Sequence, residues 1–394
     1  MSTVFLSEMS VEPIHGGGIT LHRVLGSELD NLSYFVKVVN YENEPEITSD
    51  RIDRYVIFPF GQYVKWLAKI TGCTIAYKIF KNNFLRKLHS YGIARQLIQK
   101  RIVTKSTQLL VCPQGEFSLY VIQKINSLLN VPYVTWLMDD HLVEWNNTDW
   151  IYKCDHEQLM REHLQRAESV FVISPNLQEF YKQKFGIDSQ VLFSPCENVS
   201  EPIYEITSNK KKLSLAYFGS VSPWQQDALE SLSILIKNDV VKLDIFTNNR
   251  ASVPLLLQSV GVNICEPIPP ELVTLEIRKY DAVLIPIGFS ENVRNMSYFN
   301  IATKMSECLA SGIPTLVIGP KDSAMVSFLS HYDAAILVTS LNEEDIKEAL
   351  VKLKDSILRQ RILNNAHNIS KYDLSSNRMR EQWACASKWL DLSI

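Results

Sequence analysis

The chain has 394 residues, 46% of them hydrophobic, which is material for two buried cores rather than one. Its formal net charge of −3 excludes a generally basic nucleic-acid binder, so no nucleic-acid partner is expected. Seven cysteines, scattered and never spaced as C-x-x-C, give neither a disulfide framework nor a zinc knuckle and fit a reducing cytoplasm.

The opening MSTVFLSEMSVEP has no basic segment followed by an apolar one and meets a glutamate at Glu8, so it does not read as a secretory signal. No uninterrupted apolar run is long enough to span a bilayer. Short β-branched runs alternate with longer helical patterns, as in a parallel sheet covered by helices. Residues 3–6 read as the first strand, followed by the glycine turn His15-Gly16-Gly17-Gly18 and a helix. Residues 108–112, 133–138, 170–173 and 191–193 supply later strands, and the first sheet closes near residue 200. The polar stretch 201–212 reads as a linker. A second series of strands follows at 213–218, 242–246, 262–265, 282–286, 315–318 and 335–338. Residues 375–390 carry aromatic and aliphatic side chains at helical spacing. The expected division is a first Rossmann-like domain over 1–200, a second over 201–374, and a helix over 375–394 that returns to the first.

Four segments occur in an order and spacing that resemble the two-domain glycosyltransferases called GT-B, of the family 4 and family 1 type. They are VFVISPNL at 170–177, LAYFGS at 215–220, DAVLIPI at 281–287 and KMSECLASGIPT at 304–315. The last is the most specific, and the N-terminal half matches only in outline. The resemblance implies an α/β fold with two Rossmann-like domains facing across a cleft. It also implies a nucleotide-sugar donor held mainly by the second domain, since donor recognition is shared where acceptor recognition is not.

Residues 302–310 read as the first turns of a helix whose N-terminal N–H groups, at Thr303 and beyond, suit a diphosphate. Lys304 adds a full positive charge, and Glu307 lies three residues on, near the same face. The resemblance assigns Lys304 to phosphate and Glu307 to ribose; taken alone the pair favours an ion pair on a solvated helix face, and the Ala-Ser-Gly-Ile-Pro that follows, ending the helix and entering a strand, favours the functional role. Gly219 and Ser220 follow a strand, where a missing side chain lets backbone approach phosphate, or where a strand simply turns. A polar loop over 288–300 contains Arg294, a candidate for charge-assisted bonds to the diphosphate, and Asn295. The loop after the strand 262–265, with Glu266 and Ile268, corresponds in the family to the backbone beside the base. One departure stands out: many family 4 members carry two glutamates separated by seven residues, and the position of the first is Phe299 here. The donor-sugar contact it normally makes is missing or supplied elsewhere.

In the first half, Trp136-Leu-Met-Asp-Asp-His sits just past an apolar strand, where open α/β sheets place their ligands. An inverting transfer needs a base for the acceptor hydroxyl, and Asp139 or Asp140 can serve, with His141 beside them. The competing roles are a structural cap at Asp140 with a packed His141, or a metal site. Metal is disfavoured, because the lysine and helix end already neutralise a diphosphate and the aspartates are adjacent; no cofactor is expected. Gly17 and Gly18 bring backbone close to donor phosphate or to the acceptor. His156, Glu157 and His163 miss the H-E-x-x-H spacing and read as surface helix residues.

From Arg54 to Gly115 there are eleven Lys or Arg and no Asp or Glu. Trp66, Ile70, Tyr77, Phe80 and Phe84 interleave with Lys65, Lys69, Lys78, Lys81, Arg86 and Lys87, the composition of a helix lying in an anionic membrane interface or of a helix pair with a solvated basic face. The whole describes a cytoplasmic enzyme, peripheral to the inner face of the membrane. It would move a sugar from a nucleotide-sugar to a saccharide or lipid-linked acceptor in bacterial-type surface polysaccharide synthesis. A sugar-nucleotide epimerase of the same fold and a catalytically silent nucleotide-sugar-binding partner are the alternatives.

Overall fold

The computed structural model describes residues 2–9, 11–13, 15–38, 53–56, 83–153, 155–205 and 211–386. The chain divides into two compact units: Met1–Leu192 with Glu381–Ile394, and Phe193–Arg380. Most of the basic and aromatic stretch, including Lys65, Trp66, Lys69, Lys78 and Lys81, lies outside the described residues, as does the end of the C-terminal segment from 387.

Unit 1 is built on seven parallel strands in the order β3-β2-β1-β4-β5-β8-β9. They are β1 (Ser2–Ser7), β2 (Tyr34–Lys37), β3 (Asp53–Val56), β4 (Thr107–Cys112), β5 (Tyr133–Leu137), β8 (Ser169–Val172) and β9 (Gln190–Val191). Val4, Phe5 and Leu6 in β1 and Leu109, Leu110 and Val111 in β4 are all fully buried, because helices cover both faces and central parallel strands must be apolar on both. Strands β2 and β3 have four residues each and were not legible from periodicity. Neither was the antiparallel hairpin of β6 (Val143–Trp145) and β7 (Trp150–Tyr152), which stands apart from the main sheet. The final helix, Ser376–Ala386, ends in unit 1, where the buried Trp383 ring lies 6.0 Å from Trp136 and 5.1 Å from Phe171.

Unit 2 has six parallel strands in the order β12-β11-β10-β13-β14-β15. Their ranges are β10 (Leu213–Phe218), β11 (Val241–Phe246), β12 (Asn263–Cys265), β13 (Ala282–Pro286), β14 (Thr315–Ile318) and β15 (Ile336–Val338). In each unit the first strand is central and the order reverses beside it, between β1 and β4 and between β10 and β13, which is where doubly wound sheets open a crevice at the carboxyl ends. Residues 193–200, read from sequence as the end of the first domain, bond within unit 2: Cys196 N donates to Leu374 O at 2.7 Å and Ser200 N to Ala310 O at 2.8 Å.

His163 corrects the sequence reading. It is 4% exposed, its Nε2 lies 2.8 Å from Thr135 Oγ1, and its ring stacks on Tyr133 at 5.1 Å. His156 is also buried. Both sit on the inner face of the helix His156–Arg166, a face the charged residues around them conceal in a linear reading. Burial lowers the His163 pKa from 6.5 to about 3, so the folded chain holds it neutral while the unfolded chain protonates it. The folded-state pKa is depressed, so this contribution is complete above pH 6.5 and is lost as pH falls towards 3. Urea titrations should therefore show wild-type stability falling across that window by up to about 1.4 kcal/mol per pH unit more steeply than His163→Gln. Parallel pH profiles would refute the assignment.

Candidate functional site

In unit 2 the residues at the order reversal form one bonded group. Strand β10 alternates Leu215, Tyr217 to one face and Ala216, Phe218 to the other, so Tyr217 enters the core with its hydroxyl at the carboxyl end. Tyr217 Oη donates to Ser220 O at 2.6 Å and accepts from Lys304 Nζ at 2.8 Å; the ammonium also stands 4.2 Å from the ring centroid. Gly219, next along, has φ +131°, where a side chain is strained, and a Cβ built there would lie 2.5 Å from Lys304 Nζ. The lysine is thus held over a bare stretch of backbone by a tyrosine that sequence reading had counted only as strand. Ser220 is exposed at the end of this turn.

Lys304 opens the helix Lys304–Ala310, seven residues long, with Thr303 at its N-cap in helical dihedrals and making no side-chain capping bond. Its inner side is fixed by Met305, Cys308 and Leu309 in the core, which leaves Lys304 and Glu307 half-buried on the other side. The region 288–300, read from sequence as a loop, is instead a 3-10 turn, Glu291–Val293, and a helix, Arg294–Phe299. The buried Met296, Phe299 and Val293 drive that folding, and Phe299, at the position of the family's first glutamate, is core. Arg294 Nη2 donates to Asp322 Oδ2 at 2.8 Å, and Asn295 Oδ1 accepts from Met296 N at 2.9 Å. At the end of β12, Glu266 is exposed and paired with Arg250 at 2.8 Å, while Ile268 packs against the core between that sheet and its helices.

Gly17 and Gly18 of unit 1 lie against the chain's own backbone and side chains. Gly16–Leu25 is a helix whose first turn contains them, and His15 Nδ1 caps it by accepting from Gly18 N at 3.2 Å. A Cβ on Gly18 would fall 1.7 Å from Glu12 O, and one on Gly17 would fall 2.8 Å from Met9 Sδ. At the reversal between β1 and β4 the buried Glu8 carboxylate accepts from Gln114 N at 2.9 Å, Ser118 N at 2.8 Å and the Ser118 hydroxyl. Gly115 begins the helix Glu116–Leu129 without a capping side chain, so Glu8 caps it from another strand and fills the place an anion would take. Burial raises the Glu8 pKa against the lowering effect of those bonds.

The adjacent aspartates after β5 separate sharply. Asp140 is 5% exposed: Oδ1 accepts from Leu142 N at 3.0 Å, and Oδ2 from Tyr152 Oη at 2.6 Å and Tyr181 Oη at 2.9 Å. Burial raises its pKa, against the three hydrogen bonds. The carboxylate ties β5 to the β6–β7 hairpin and to the helix Pro175–Phe185. Asp139 is partly exposed, with Oδ2 4.0 Å from His141 Nε2 on a side chain 37% exposed. Of the two, Asp139 has the carboxylate that solvent and small molecules can reach.

Two parallel, doubly wound sheets carried in succession on one chain define the GT-B fold. The sequence matches no protein-family model and no curated protein. Solved structures resemble it along its whole length. Sucrose-phosphate synthase from Thermosynechococcus elongatus is 12% identical at a TM-score of 0.64, with 99% of each chain covered. A TarM variant from S. aureus, in complex with fondaparinux, α-GlcNAc-glycerol and UDP, is 12% identical at 0.64, with 98% of this chain and 99% of that one covered. The lipopolysaccharide outer core galactosyltransferase WaaB is 14% identical at 0.61, with 99% and 100% covered. At such identities the likeness establishes the fold.

Proposed function

We propose that this chain is a glycosyltransferase whose second unit holds a nucleotide-sugar donor. The observation that carries the reading is the Lys304 ammonium set over Gly219 by Tyr217, at the end of the strand beside which the sheet order reverses. A positive charge against backbone that can be closely approached is what a diphosphate requires, and Glu307, on the same short helix, is assigned to the ribose. UDP in the TarM complex, a protein of the same fold, supports a nucleotide as the ligand class. A saccharide acceptor in surface-glycan synthesis is supported by the lipopolysaccharide enzyme WaaB. Lipid linkage of that acceptor and attachment to an anionic membrane rest on the basic stretch 54–115 alone. Two of its described members, Arg86 and Lys87, already engage Glu116 and Asp155, and among the described residues no helix is long and apolar enough to cross a membrane.

A thermal-shift screen against UDP-, GDP-, ADP- and dTDP-sugars tests the donor site, since a ligand that binds the native state raises the unfolding temperature. No shift with any of them removes the reading. Incubation with the donor alone then separates transfer from epimerisation, and a broad acceptor panel separates an enzyme from a silent binding partner.

Asp139 is assigned as the base that takes the proton of the acceptor hydroxyl as its oxygen attacks the anomeric carbon. Asp139→Asn should lower kcat by about 100-fold or more while donor affinity stays within twofold, an effect of the size general-base removal produces. Turnover equal to wild type would take the role from Asp139.

A further inference from the structure

We propose that Asp227 is a positioning residue that fixes the segment 288–290 as the wall for the donor's sugar, an inference that rests on the donor-site reading above. Strands β10 and β13 are neighbours, and the chain leaving each at its carboxyl end is bonded to the other. Asp227 lies in the helix Gln226–Glu230 that follows β10, yet its Oδ2 accepts from Phe289 N at 2.8 Å and from Ser290 N at 2.9 Å, just beyond β13. Its Oδ1 accepts from Ala228 N at 2.7 Å, which orients the carboxylate from its own side. Gly288 N donates to Trp224 O at 2.6 Å, and Gly288 O accepts from Ser297 Oγ at 2.6 Å. A Cβ at Gly288 would sit 2.9 Å from Val293 Cγ2 and 3.0 Å from Trp224 O, so the two segments are as close as their backbones permit.

The consequence is a rigid loop with its amides turned to the protein. Three successive backbone N–H groups, from Gly288, Phe289 and Ser290, are used internally, two of them on one carboxyl oxygen of Asp227. What the loop then offers outward is the exposed polar run Ser290, Glu291 and Asn292, beside Trp224, which is 39% exposed. A hydroxyl, a carboxylate and an amide are the groups that exchange hydrogen bonds with sugar hydroxyls, and none of them is cationic. Along the strand ends the base is assigned to β12 and the diphosphate to Gly219 after β10, so β13 is the next place in line and falls to the sugar. A hydroxyl-binding loop held in advance loses less entropy when its ligand arrives.

Calorimetric titration of the full chain with UDP and UDP-glucose, and with GDP and GDP-mannose, tests this. Asp227→Ala should leave affinity for the bare nucleoside diphosphate within twofold while weakening the matching nucleotide-sugar by about tenfold. Asp227→Asn, whose remaining oxygen can accept from both loop amides while its NH2 loses the bond from Ala228 N, should recover part of that loss. Equal weakening of both members of a pair, unchanged affinity for both, or failure of the asparagine variant to rescue would overturn the assignment. If the wild-type chain binds the nucleotides and their sugars equally well, the donor reading stands and the sugar wall does not. If no UDP-, GDP-, ADP- or dTDP-sugar binds, the donor reading falls and this inference with it.

Discussion

Lys304→Ala is expected to weaken nucleotide-sugar binding by about 100-fold, the largest change any single substitution in unit 2 should produce. Removing one partner of a hydrogen-bonded charge pair that is shielded from water costs about 2–5 kcal/mol, because the other charge is left without a counterion. Lys304 is half-buried, is fixed by one hydrogen bond and one ring contact, and stands where Gly219 leaves backbone uncovered. The fold should survive, since the ring contact contributes only about 0.5–1 kcal/mol. Titration calorimetry against the donor found by thermal shift, with circular dichroism as a control for folding, measures both. Tyr217→Phe supplies a graded comparison: it keeps the ring and deletes the hydroxyl, so a smaller loss is expected. Donor affinity unchanged in Lys304→Ala would defeat the phosphate role.

Asp140→Ala should have its largest effect on stability, lowering it by about 3–5 kcal/mol in urea unfolding. The substitution strands the hydroxyls of Tyr152 and Tyr181, which are 8% and 0% exposed, and the amide of Leu142. A buried donor left without an acceptor costs about 1–3 kcal/mol each. Asp139→Ala, on a partly exposed side chain, should stay within about 1 kcal/mol of wild type. The pair of variants therefore distinguishes two neighbours that the sequence presents as equals. A destabilised Asp139→Ala with a fully stable Asp140→Ala would reverse the roles drawn here.

Much of the sheet architecture could be read in advance, and the reason is local. Strands such as β10, β13 and β14 are largely apolar runs ended by glycine, proline or a polar turn, and in a doubly wound sheet the central strands must be apolar on both faces. Four short strands gave no such signal: β2 and β3 hold four residues each, and β6 and β7 of the hairpin three each. The helix Arg294–Phe299 was hidden among polar residues because its stability comes from Met296 and Phe299 meeting a core that only the folded chain possesses.

By itself the sequence determined the two series of parallel strands and the place where the second begins, since these depend on patterns a few residues long; Asp139 and Asp140 were nominated by their place after an apolar strand, and Lys304 and Glu307 through the family resemblance. Tertiary structure alone decided which partners those residues meet. Tyr217 reaches Lys304 across 87 positions, Glu8 caps a helix 110 positions away at Ser118, and Asp227 holds a loop 62 positions on at Phe289. Asp140 is buried and bonded by Tyr181, and His163 is held neutral by the sheet it packs beneath. Hydrogen bonding and desolvation act over a few ångströms of space, whatever the separation along the chain, so the chemistry of a side chain is settled only when folding brings its neighbours to it.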